Sequence, residues 1–321
     1  KMKIKTAAII FIFLLILCTL PLNAQNNKEV KIGFVSDIGG FNDNNYNQQL
    51  RKSLTNINSE LDLNIEFKES ELMTDYIDNL TYFAENEFDL IWGVGFTMKQ
   101  AVKEAAQMYN ERKFAIFDAV VKEDNVLSID FANKEEGFLA GVIAALESSN
   151  SKIAFIGGKE NQELKEYEIG FRTGAEAVSS DIEIISNYIG SFNDYSAAEE
   201  LTKKIAEQNV DVIFYAAGPA SQGIIKSAIN ENINLISLKA SDIKLAPKNM
   251  ITVVLKNTDF IVQKTLKDLY NNNYISEVKK YGLVDNAFII DQKQAEEMMT
   301  QENLEKIEEY KQQLISGDIG F

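Results

Sequence analysis

The stretch Val30-Lys31-Ile32-Gly33-Phe34-Val35-Ser36-Asp37-Ile38-Gly39-Gly40-Phe41-Asn42-Asp43-Asn44-Asn45-Tyr46-Asn47-Gln48 holds one full structural period of the chain. Val30–Ser36 is a short β-rich apolar run, Asp37-Ile38-Gly39-Gly40 has the polar and glycine content of a turn, and from Tyr46 to Glu60 apolar residues return at helical spacing. The same period recurs to the end of the sequence. Further strands are predicted at Leu63–Glu69, Leu90–Val94, Lys113–Phe117, Val126–Asp130, Lys152–Ile156, Ile182–Tyr188, Val212–Tyr215, Asn234–Leu238, Ile251–Leu255 and Ala287–Ile290. Helices are predicted at Thr74–Glu85, Thr97–Tyr109, Lys134–Leu146, Glu166–Ala177, Ala197–Gln208, Ala220–Asn230, Thr258–Tyr270 and Gln292–Ile315. Alternation of this kind specifies an α/β protein with parallel sheets and right-handed crossovers.

At 321 residues the chain has room for two domains, and 45% hydrophobic residues can fill a core in each. The 48 acidic against 32 basic side chains give a net charge of -16, which repels a phosphate backbone and disfavours a nucleic-acid polymer as partner. No histidine is present, so Ser-His-Asp and Cys-His catalysis and histidine-containing zinc sites are excluded. The single cysteine, Cys18, excludes an intramolecular disulfide.

Lys1, Lys3 and Lys5 precede an apolar run from Thr6 to Leu17; Pro21 then breaks the helix and Leu22-Asn23-Ala24 offers a cleavage point. Residues 1–24 therefore read as a secretory signal peptide cleaved after Ala24, with an uncleaved membrane anchor and lipid attachment at Cys18 as the alternatives. Cleavage leaves 29 basic against 48 acidic residues and places the protein outside the cytoplasmic membrane, either free or lipid-anchored.

In open α/β sheets ligands bind beyond the carboxyl ends of the strands. Those ends here carry Asp37-Ile38-Gly39-Gly40, Gly93-Val94-Gly95-Phe96, Asp118, Gly157-Gly158 and Tyr215-Ala216-Ala217-Gly218. Neither glycine pair has the spacing of a dinucleotide fingerprint or the sequence of a phosphate-binding P-loop. No cofactor and no metal is implied.

The segment Asp37–Gln48 resembles the opening motif of the basic membrane protein family, the extracytoplasmic substrate-binding proteins of ABC transporters that include the purine nucleoside receptors. Asp37, Gly39, Asp43, Asn47 and Gln48 match its pattern and Tyr46 replaces an aromatic phenylalanine, whereas Asn42, Asn44 and Asn45 depart from it. Similar blocks follow in order at Asp89–Gly95, Phe114–Asp118, Glu135–Ala145, Ile153–Gly158, Gly170–Gly174, Tyr188–Phe192, Ala216–Gly218, Leu245–Thr252 and Ile315–Ile319. The resemblance implies a type I periplasmic-binding-protein fold: two lobes, each a parallel sheet flanked by helices, joined by three hinge crossings near Asp130, Leu255 and Val284. The lobes are expected at 28–130 plus 256–284 and at 131–255 plus 285–321. It also implies a small-molecule ligand, a transporter permease as partner and no catalysis.

A purine nucleoside needs aromatic faces for its base, polar partners for its N–H groups and carboxylates for its diol. Tyr46 and Tyr215 are the expected stacking pair, worth about 1–3 kcal/mol per base where such stacking has been measured; packing at a core edge is the other reading of each. The resemblance places Asp37, Asn47 and Asp118 at the ligand, where burial would otherwise leave them without partners; capping a helix is the alternative for the two aspartates. Lys256 matches a lysine at the mouth of the cleft, or is an ordinary surface lysine, and Gly218 is expected at the ligand as well. One position departs from the family. Where the strand at Asn234–Leu238 should end in a diol-binding aspartate stands Lys239, which has donors and no acceptor. Asp242 is placed either to take over that task or to pair with Lys239. Two other functions stay open: a glycosidase built on Asp37 and Asp118, and an extracytoplasmic sensor or surface protein with a non-nucleoside ligand.

Overall fold

The computed structural model describes residues 30–43, 46–61 and 63–321. The signal-peptide segment 1–24, with Cys18 and Ala24, lies outside them. A first run of elements comprises β1 (Val30–Val35), α1 (Tyr46–Leu61), β2 (Leu63–Lys68), α2 (Asp75–Glu85), β3 (Leu90–Val94), α3 (Lys99–Met108), β4 (Phe114–Phe117) and β5 (Val126–Phe131). A second comprises α4 (Asn133–Glu147), β6 (Lys152–Gly157), α5 (Gln162–Val178), β7 (Glu183–Tyr188), α6 (Tyr195–Ala206), β8 (Val212–Ala216), α7 (Ser221–Glu231), β9 (Asn234–Ser237) and β10 (Met250–Lys256). Then follow α8 (Thr258–Tyr270), β11 (Val278–Tyr281), β12 (Phe288–Ile290), α9 (Gln292–Met298) and α10 (Gln301–Ser316). None of the described helices is long and apolar enough to cross a membrane.

The strands form two six-stranded sheets, ordered β11-β5-β4-β3-β1-β2 and β12-β10-β9-β8-β6-β7. Every neighbouring pair is parallel except β10 with β12. The chain passes between sheets three times: from β5 into α4, from β10 into α8, and from β11 to β12.

Strand alternation divides the second sheet's core. Ile153, Phe155, Val212 and Phe214 face α4 and α5 and join a cluster continuous with the first sheet; Ala154, Ile156, Ile213 and Tyr215 face α6 and α7 and form a second cluster. α4 and α5 cross with almost nothing between them. A Cβ on Gly137 would lie 2.4 Å from the Tyr167 carbonyl oxygen, on Gly141 2.0 Å from that of Phe171, on Gly170 1.9 Å from that of Lys134 and on Gly174 2.1 Å from that of Phe138. Glycine four residues apart on each helix lets the two backbones touch, and α4 is buried on every side from Glu136 to Ala144.

Three elements differ from the sequence reading. β11 is an additional strand, Val278-Lys279-Lys280-Tyr281, whose two central lysines hide it from an apolar-run criterion and suit a sheet edge. The predicted helix Gln292–Ile315 is two helices, because the Thr300 hydroxyl accepts from the Asn303 N–H and starts a new one. α5 begins a turn earlier than predicted, where the Asn161 side chain accepts from the Leu164 N–H.

Candidate functional site

At the carboxyl end of the first sheet, Asp43 accepts from the backbone N–H groups of Asn47 (3.2 Å) and Gln48 (3.2 Å), so an acid faces the positive end of α1. The Asn47 amide donates to Asp37 Oδ1 at 2.7 Å and to Asp43 Oδ2 at 3.1 Å, and Gly39 N–H donates to the same Asp37 oxygen. Asp37 and Asn47 are thus brought together, and Asn47 is buried. Tyr46, beside them, meets Phe117 edge to face with ring centroids 6.0 Å apart, and Phe117 stacks on Trp92 at 4.9 Å and 5°. The Tyr46 hydroxyl is buried and has no hydrogen-bond partner, and its pKa is held well above the ordinary value by burial first and then by the carboxylates of Asp118, Glu136 and Glu163.

Asp118 follows β4 with φ +57°, a left-handed conformation that aspartate adopts more readily than most residues. Both its oxygens accept from Lys256 Nζ, the last residue of β10 in the other sheet, at 2.8 Å. The ammonium also lies 4.8 Å from the Phe131 ring centroid and 5.9 Å from that of Tyr46. Burial alone would lower the Lys256 pKa, but Asp118, Glu136 and Glu163 outweigh it and hold it above the usual lysine value.

Glu136, in the first turn of α4, is 2% exposed and accepts from the Tyr167 hydroxyl at 3.0 Å. Burial pushes its carboxyl up to about 7 against the pull of Lys256 and of that hydrogen bond. Glu163 is raised as well, again mainly by burial. Neither glutamate, nor Tyr167, was singled out by the sequence reading. The one available signal was an acid directly ahead of the apolar run Gly137–Leu146, and it lies within the block Glu135–Ala145.

The second sheet alters two expectations. Tyr215 is 2% exposed, in the core toward α6 and α7, and its hydroxyl donates to Asp242 Oδ2 at 2.9 Å. Asp242 Oδ2 also accepts from Ser237 Oγ at 2.7 Å. The Tyr215 hydroxyl and Asp242 Oδ2 are thus bonded to each other, and alternation along β8 turns Tyr215 away from the face that carries Phe214. Lys239 is half-buried, its N–H donates to Ser237 Oγ, and it makes no ion pair with Asp242. Gly218 opens a short 3-10 turn at φ +56° beside Phe192. The half-buried Phe192 ring also covers Gly158, where a Cβ would approach it to 2.4 Å. It is the aromatic ring lying over both of those strand ends, and sequence reasoning passed over it because it sits in the turn after β7.

The sequence profile described as ABC transporter substrate-binding protein PnrA-like matches residues 30–320. Basic membrane protein B of Borreliella burgdorferi is 30% identical over 275 residues, covering 81% of this chain and 80% of that protein. The ABC transporter nucleoside-binding protein BmpA of Lactococcus lactis is 29% identical over 263 residues, covering 80% and 73%. Among solved structures, an ABC transporter solute-binding protein from Aeropyrum pernix K1 superposes with a TM-score of 0.73 at 23% identity, over 91% of this chain and 93% of that one. With almost the whole described chain matched in sequence and in fold, the protein belongs to the PnrA-like family of ABC transporter substrate-binding proteins.

Proposed function

We propose that the chain is the extracytoplasmic receptor of an ABC importer and captures a purine nucleoside or related flat heterocycle between two lobes, 28–130 plus 256–284 and 131–255 plus 285–321, that close at the three crossings. The observation that carries this reading is the meeting of Tyr46, Asp118 and Lys256, from both sheets, around a buried tyrosine hydroxyl that lacks a partner. A nucleobase whose edge meets that hydroxyl supplies the partner, and Asp37, held in place by Asn47, and Asp118 offer acceptors beside it. Phe192 takes the stacking role first given to Tyr215, with Gly158 leaving it room and Gly218 beside it. The family assignment and the nucleoside-binding name of the Lactococcus relative support the same class of ligand.

Closure follows from differential contact: a ligand touching both lobes is bound more tightly by the closed state, and that difference shifts the population. Thermal unfolding in the presence of nucleosides, free bases, nucleotides and sugars tests the reading. A true ligand at 100 times its dissociation constant adds about 2.7 kcal/mol of stability. If sugars stabilise the protein and no nucleobase compound does, the ligand class is wrong.

A further inference from the structure

Of the three carboxylates that act on the Tyr46 hydroxyl, Asp118 holds Lys256 with both oxygens and Glu136 holds the Tyr167 hydroxyl. The third, Glu163, makes no hydrogen bond and no ion pair among the described residues. It is open to solvent, yet protein surrounds it closely enough for burial to be the main cause of its raised pKa. A side chain that is both accessible and enclosed lies in a concavity rather than on a convex surface. At the strand end where the family resemblance calls for a diol-binding aspartate, Lys239 has donors only. The nearby Asp242 is buried, with Oδ2 already accepting from Tyr215 and Ser237.

Glu163 belongs to the first turn of α5, which follows the carboxyl end of β6, the side of an open sheet where ligands bind. α4 and α5 run parallel in contact, with Gly137 against the Tyr167 carbonyl and Gly141 against that of Phe171. One turn back from the first of these contacts stand Asn133 and Glu163, so the acid is level with the residue at which the chain enters α4 from β5. The Asn161 cap and the glycine contacts fix the backbone that carries it. Its charge is felt at the Tyr46 and Tyr167 hydroxyls and at Lys256 Nζ. Such effects reach over about 10 Å, a distance comparable with the length of one nucleoside.

Resting on the nucleoside-receptor reading above, we propose that Glu163 is a ligand-binding residue, whose carboxylate accepts the sugar hydroxyls from the second lobe while Tyr46 and Asp118 meet the base from the first. Two oxygens side by side match two vicinal hydroxyls, and a charged acceptor makes the stronger hydrogen bond. The contact also ties the ligand to both lobes, which supplies the differential affinity that closure needs.

Calorimetric titration of the full chain with guanosine, inosine and adenosine, and with the 2′,3′-dideoxy counterpart of each, tests this. For the base that binds best, the wild type should hold the nucleoside at least about tenfold more tightly than its dideoxy counterpart. Glu163→Gln, which keeps the size and loses the charge, should bring that ratio to about threefold or less, and Glu163→Ala to about one, with the dideoxy compound bound as before. A wild type indifferent to the hydroxyls overturns the role of Glu163 and leaves the nucleobase reading standing. So does a preference that survives in both variants, or a loss of equal size for nucleoside and dideoxy compound. Binding of none of the six compounds overturns both.

Discussion

The ammonium of Lys256 lies 2.8 Å from each carboxylate oxygen of Asp118, although 138 residues separate the two and they end strands in different sheets. With side-chain exposures of 11% and 28%, the pair is largely out of water, so its partners depend on each other. Removing one leaves a poorly solvated charge.

Lys256→Met should therefore destabilise the chain by about 3 kcal/mol, since Asp118, Glu136 and Glu163 lose the cation they share. The double variant with Asp118→Asn should be less destabilised than the two single effects predict. Urea denaturation of the four proteins measures the coupling. Additive effects would mean that the pair is an incidental contact.

Glu136 gives a pH dependence of definite sign. Burial raises its carboxyl from an ordinary 4.5 to about 7. Between those values the folded chain holds a proton that the unfolded chain has released. The group's contribution to stability therefore falls as pH rises from about 4.5 to about 7 and is level above that. Glu136→Gln keeps an acceptor for Tyr167 and removes the titration. It should equal the wild type near pH 4.5 and exceed it by about 2–3 kcal/mol at pH 8. A stability difference that does not change across that window would count against a buried titrating carboxyl.

Gly141→Ala places a methyl group 2.0 Å from a backbone oxygen that cannot rotate away. Helix propensity favours alanine by about 1 kcal/mol, and the clash reverses that sign. A net loss of at least about 3 kcal/mol is expected, larger than ordinary overpacking because backbone rather than side chain must move. Chemical denaturation decides between the two terms, and a gain in stability would show that the helices separate freely.

Tyr215→Phe and Phe192→Ala should have different profiles. The first removes the hydroxyl that satisfies Asp242 and should cost about 1–3 kcal/mol of stability, with ligand affinity little changed. The second should cost some stability, because the half-buried ring packs against the core, and should in addition weaken binding of the best nucleobase compound by about 1–3 kcal/mol. Reversed profiles would restore Tyr215 as the stacking residue.

The strand and helix order was readable because each apolar run has its own period, and Leu90–Val94 and Thr258–Tyr270 agree with their predicted limits residue for residue. β11 was not, because an edge strand needs little apolar surface. At the site, Asp118 and Lys256 were legible singly, from motif matches, but their contact depends on sheet order, which no local pattern encodes. Tyr215 was read as either a stacking face or a core edge, and its burial agrees with the second. Phe214 and Tyr215 are neighbours in sequence and therefore opposite in direction. Glu136 went unnoticed because an acid in a first helical turn has an ordinary explanation, its attraction to the helix N-terminus, and only its burial removes that explanation.

The glycine contact of α4 with α5 also limits how the molecule can move. Packed helices usually slide past one another by small rotamer changes in the side chains between them. At Gly137, Gly141, Gly170 and Gly174 there are no such side chains to change. The two helices therefore behave as a single bar, with Asn133 and Glu136 at one end of it fixed relative to Tyr167 on its partner. Any displacement between the sheets is left to the short connections at 131–133, 256–258 and 281–288. Glu136 and Tyr167 then keep their places relative to each other and to the sheet that α4 and α5 cover.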